Sequence, residues 1–144
     1  MARILSVFLA LFIASAAVAA PIEGRQIGSI KCNIDRFKIV TTLAQTGTAV
    51  KKIDTTDPDT ATAVQAAQAG LKSAGDGIKT IALSLVTGKA APAEARDQVQ
   101  KGLTDAQDAL TGITDETVTD SVAAAMAKLT ASIENGAAVV ADCK

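Results

Sequence analysis

The sequence predicts an all-α protein, an antiparallel bundle of four amphipathic helices, at most five, whose termini are joined by one disulfide. Three observations carry this expectation. Apolar residues recur every three or four positions through four separate stretches, the period of one helical face. The stretches are divided by short turns marked by proline, glycine and capping aspartates. The only two cysteines, Cys32 and Cys143, stand near the two ends of the periodic region.

The first helix is expected from about Asn33 to Ile53. Its stripe is Ile39, Leu43, Thr46, Val50 and Ile53, with Phe37, Val40 and Ala44 widening it. Asp57 and Pro58 restart the chain, the aspartate as a cap and the proline at a first-turn position that needs no N–H donor. Val64, Ala67, Leu71, Ala74, Ile78, Ile81 and Leu85 then alternate steps of three and four, a heptad seam. Gly75 and Gly77 weaken this second helix without shifting its phase, at about 1 kcal/mol each relative to alanine. They are the candidate hinge, in one long helix stopped at Gly88.

Pro92 opens the third helix, with the seam Ala95, Val99, Gly102, Ala106, Ala109 and Ile113 and a stop at Gly112. Thr114-Asp115-Glu116 caps the fourth. That helix carries Val118, Val122, Ala125, Leu129, Ser132, Gly136, Val139 and Cys143, flanked by Met126, Ile133 and Val140.

Residues 1–19 read as a cleaved secretory signal. Arg3 is the basic start, Ile4 to Ile13 the apolar run, and Ala17-Val18-Ala19 the cleavage site. The apolar run is too short to span a bilayer. Residues 20–31 form a flexible lead-in with Gly24, Gly28 and Ser29, and 32–144 the bundle domain. An even cysteine count in a secreted chain reads as a disulfide, with one pairing available to two cysteines. A loop of this length is worth about 4–5 kcal/mol on the chain-entropy account. The expected localisation is extracellular, without a GPI anchor, because the C-terminus ends Ala-Asp-Cys-Lys with no hydrophobic tail.

Losing Arg3 leaves 13 basic and 15 acidic residues, a net charge of −2 that selects no partner class. Basic clusters interleaved with aromatics are missing, which argues against nucleic acid. There is no histidine, so the commonest general base and a Ser-His-Asp triad are unavailable. No glycine loop has phosphate-binding form. Asp105 and Asp108 share a helix face but read as solvated charge. No catalytic residue, metal site or cofactor is expected. Neither asparagine, Asn33 or Asn135, stands in a glycosylation sequon.

The seams are rich in alanine and glycine. Facing helices can therefore close up into a tight core or stand apart around an apolar cavity. The residues that would line such a cavity are Ile39, Leu43, Leu71, Ile78, Ile81, Leu103, Leu110, Val122, Leu129 and Ile133.

Four phrases carry a family resemblance: Cys32-Asn33-Ile34-Asp35-Arg36; Ala69 to Ile78; Leu85 to Pro92; and Val139-Val140-Ala141-Asp142-Cys143. Together they resemble the fungal hydrophobic surface-binding protein A family, which includes the antigenic cell-wall galactomannoproteins. The resemblance spans nearly all of the chain after the signal and rests mainly on motif order and the terminal cysteines. It implies a secreted helical protein that adsorbs to hydrophobic surfaces, helps recruit a secreted hydrolase, or holds a fatty-acid-like lipid between helices. The chain lacks the Ser/Thr-rich stalk of wall-anchored members, so any cell-wall association would be non-covalent. The expectation is a monomeric, non-catalytic binder of apolar material. The alternative is an interaction protein that recruits a hydrolase or engages a host partner through its polar surface.

Overall fold

A computed structural model describes residues 30–143. The expected signal and most of the expected lead-in lie outside the described residues. Four helices fill it: α1 (Ile30–Val50), α2 (Pro58–Val86), α3 (Ala93–Thr111) and α4 (Thr119–Asp142), the last preceded by a 3-10 turn at Glu116–Val118. The predicted all-α bundle is the observed fold.

The helix ends follow local chemistry. Asp57 accepts a hydrogen bond from the Thr60 amide at 2.7 Å, with Pro58 as the first helical residue of α2. That bond, made to the ionised carboxylate, holds Asp57 below its ordinary pKa. Gly88 closes α2 with φ of 71°, a left-handed conformation that suits glycine. The Gly88 amide donates to Leu85 O and the Lys89 amide to Ser84 O, which satisfies two of the last carbonyls. Asp115 caps the turn before α4 by accepting from the Thr117 amide at 2.9 Å.

Two boundaries differ from the expectation. Helix α1 begins at Ile30, inside the expected lead-in, and ends at Val50; Ile53 stays buried on the turn that follows. Pro92 is the cap of α3 rather than its first helical residue, and contributes no side-chain cap.

The bundle is two intimate helix pairs laid together. Helices α2 and α3 form one, α1 and α4 the other, and contact between the pairs is thinner. The α2/α3 pair meets backbone to backbone. A Cβ on Gly70 would lie 2.6 Å from Gly102 O, and one on Gly102 would lie 2.5 Å from Gly70 O. Gly77 is as tight, with Ala95 O and Val99 Cγ2 both at 2.8 Å from an added Cβ. Between these glycines, Ala67, Ala74 and Ala106 are fully buried. Here the small residues close the gap.

The α1/α4 pair is joined differently. The Cys32–Cys143 disulfide spans 111 positions of sequence with Cα atoms 5.1 Å apart, an ordinary separation for such a bond. Lys31 pairs with Asp142 beside it. Further along, Asn135 Nδ2 donates to Thr42 Oγ1, and the Thr46 and Ser132 hydroxyls share a buried hydrogen bond at 3.1 Å. Each hydroxyl also lies within hydrogen-bond distance of a carbonyl one turn back in its own helix; whichever hydroxyl donates across the interface, the other can donate to its own helix, and both keep a partner. Between the pairs lies one apolar core, with Leu110, Leu129 and Val50 completely enclosed.

The glycine seam predicts opposite signs for one substitution at two places. Gly102→Ala forces a Cβ against backbone atoms that cannot rotate away, and should destabilise by about 1–3 kcal/mol despite alanine's better helix propensity. Gly47→Ala in α1 meets nothing within 4 Å and should stabilise by up to about 1 kcal/mol. Urea unfolding of both variants measures the two shifts directly.

Candidate apolar binding face

The ten residues proposed to line a cavity all belong to the one core. Ile39, Leu71, Leu103, Leu110 and Leu129 are buried, and Leu43, Ile78, Ile81, Val122 and Ile133 are half-buried against them. The two fully enclosed leucines lie toward the end of the bundle that carries the α1–α2 and α3–α4 connections. Nearer the disulfide, Leu43, Ile78, Ile81 and Ile133 keep part of their surface open.

The hinge candidates separate. Helix α2 runs unbroken through both glycines. Gly77 is buried where α3 approaches, and its missing side chain makes room for Ala95 and Val99. Gly75 faces α1 loosely, with Leu43 Cδ2 at 3.9 Å from an added Cβ. Only Gly75 can take a side chain without moving a neighbouring helix.

A second set of residues, merged into the core stripe by sequence reasoning, stands on the surface. Phe37 and Val40 do not widen the buried stripe of α1; they are 72% and 50% exposed, and Ala44 is exposed too. The reason is angular. At about 100° per residue, Cys32, Asp35 and Ile39 point one way, and Ile30, Ile34 and Phe37 point the opposite way. The first turns of α1 are therefore apolar on both faces, and the bundle uses one. The spacing Ile30, Ile34, Phe37 was the signal that could have revealed a second stripe.

The other large exposed apolar residues, Leu83, Val86 and Val140, belong to the same end. Helix lengths explain why this end is thinly covered. Helix α2 has 29 residues and α3 has 19. With Ala95 against Gly77, α2 runs about 10 Å past the start of α3. Over that stretch the fourth side of the bundle is the turn 87–92 instead of a helix. Leu83 and Val86 stand on the overhang.

Polar groups border this end unevenly. Asp35 is buried on the inner face of α1, where Oδ1 accepts from Lys38 Nζ at 3.3 Å and Oδ2 has no hydrogen-bond partner. The bond to Asp142 raises the pKa of Lys31. Two open depressions lie elsewhere on the described surface. One between α1 and α2 has Gln65, Gln68, Lys51 and Lys72 on its walls, with Leu71 its one large apolar residue. Another, beside the connecting loops, is lined by Asp57, Asp59, Asp115 and Thr114.

Among the described residues no helix is long and apolar enough to cross a membrane. Comparison with protein-family profiles, curated proteins and solved structures finds no match to this chain.

Proposed function

We propose that this chain is a secreted, non-catalytic protein that binds apolar material through its disulfide-linked end. The observation that supports the reading is the concentration in that end of all seven large exposed apolar side chains among the described residues, on helices whose inner faces already supply a core. Burying apolar surface releases about 25 cal/mol per Å², or about 1.5–3 kcal/mol for one large side chain. Several such residues are enough to hold a small protein on a hydrophobic surface. A fatty-acid-like guest would enter between the helices from the same end and reach Ile81 and, deeper in the bundle, the half-buried Leu43, Ile78 and Ile133. The resemblance to hydrophobic surface-binding proteins points the same way.

Adsorption to uncharged polystyrene beads or alkane droplets tests the surface mode. Phe37→Ser combined with Leu83→Ser should weaken it by at least about tenfold, because each change removes an exposed apolar contact and no core contact. Undiminished adsorption of this variant would remove the disulfide end from the account.

The guest mode has its own readout. Native mass spectrometry of the protein from its own producer, with solvent extraction, should show a stoichiometric lipid. Gly75→Ala should then slow fatty-acid uptake if α2 bends there to admit the guest. An unchanged uptake rate would exclude bending at Gly75.

A further inference from the structure

The exposed apolar residues do not stand among neutral neighbours. The described part of the disulfide end comprises residues 30–40 of α1, residues 79–92 of α2 and its turn, and residues 135–143 of α4. It carries Lys31, Arg36, Lys38, Lys79 and Lys89 against only Asp35 and Asp142. Glu94 and Arg96 at the adjacent start of α3 offset each other. The opposite end, around both connecting loops, carries Asp54, Asp57, Asp59, Asp115, Glu116 and Asp120 against Lys51 and Lys52. The bundle is polarised: apolar and basic at one end, polar and acidic at the other.

We propose that the disulfide end docks end-on onto an anionic lipid bilayer, its apolar side chains entering the headgroup region and its basic side chains meeting the lipid charges. This rests on the reading of the same end as an apolar binding face, and adds which surface it prefers and in which orientation. Lysine and arginine beside bulky apolar residues are the composition of segments that lie in a membrane interface. Dimensions agree. Ile30 to Phe37 span about 10 Å of helix, comparable to the roughly 5–10 Å depth that interfacial helices reach. With no described helix able to cross a bilayer, the contact is peripheral.

Charge supplies orientation. Lys31 and Lys38 are partly neutralised by Asp142 and Asp35, and Lys79 shares the field of Asp76 one turn back, so the pull falls mainly on Arg36 and Lys89, with a smaller part from Lys79. An anionic surface attracts this end and repels the acidic one, and the attraction fades within a Debye length and with added salt.

The test is co-sedimentation of the full-length, disulfide-bonded secreted protein with two vesicle preparations. One is phosphatidylcholine alone; the other is an equimolar mixture of phosphatidylcholine and phosphatidylglycerol. The proposal expects at least about tenfold stronger partition to the anionic vesicles, lost at high salt. K79E combined with K89E should abolish that preference while leaving adsorption to uncharged polystyrene intact. F37S with L83S should reduce both. A control, K51E with K52E at the opposite end, should change neither. These positions are exposed, so all the variants should keep the wild-type far-ultraviolet circular dichroism. Equal partition to both vesicles, with polystyrene adsorption retained, would overturn the anionic preference and spare the apolar reading. Binding to vesicles and polystyrene alike absent would overturn both. An equal loss in K51E/K52E would overturn the assignment to the disulfide end.

Discussion

The backbone contact between α2 and α3 is the constraint on which the rest of the bundle depends. Gly70 and Gly102 face each other so closely that neither position admits a Cβ, and Gly77 repeats the contact toward the start of α3. Helices this close leave no room between them for large side chains. The volume of the core must come from the line where this pair meets α1 and α4. Val50, Val64, Leu103, Leu110, Val118 and Leu129 supply it, and they cluster toward the connecting loops. A short α3 completes the asymmetry, because the contact with α2 fixes where α3 begins. The thick end of the core and the open end of the bundle thus share one cause.

The other pair answers a different problem. Helices α1 and α4 are the outermost elements of the described sequence and would fray most readily. They are secured by a disulfide, the Lys31–Asp142 pair next to it, and the hydroxyl contact between Thr46 and Ser132. These bonds, together with the inner-face packing of Ile39, Val50, Ala125 and Leu129, hold the pair without the outer apolar residues of α1. Hence α1 can carry apolar residues on its outer side without needing them for folding, an arrangement that a helix serving only a core would not need. Exposed apolar surface confined to one region is the usual mark of a site that touches something else.

Much of this was legible in the sequence. The alternating steps from Val64 to Leu85 placed α2, and Asp57-Pro58 and Gly88 set its ends, because caps act through neighbouring backbone alone. The ten interior residues all reached the core, since a regular period identifies a face. What periodicity cannot do is say which of two apolar faces turns inward. Phe37 and Val40 follow the three-to-four spacing along α1, but Phe37 points away from Cys32, Asp35 and Ile39, and only the placement of the neighbouring helices decides which side is buried. The glycines show the same limit. Gly77 reads as a weak point along its own helix, and only the position of Ala95 and Val99 across the interface reveals it as a contact. Asp35 gave no sign of burial either, being a charged residue one turn from a cysteine.

If the disulfide end is the working face on a surface, the enclosed part of the core around Leu110 and Leu129 stays closed on adsorption. Hydroxyl-radical footprinting of the protein, free and adsorbed to alkane droplets, tests it at side-chain level. Phe37, the one aromatic residue in the described range, is a reactive and well-placed reporter. Phe37, Leu83 and Val86 should be strongly protected on adsorption, with Leu110 and Leu129 unreactive in both states. Unchanged reactivity at Phe37, or new reactivity at Leu110 and Leu129 from a bundle that opens on the surface, would contradict it.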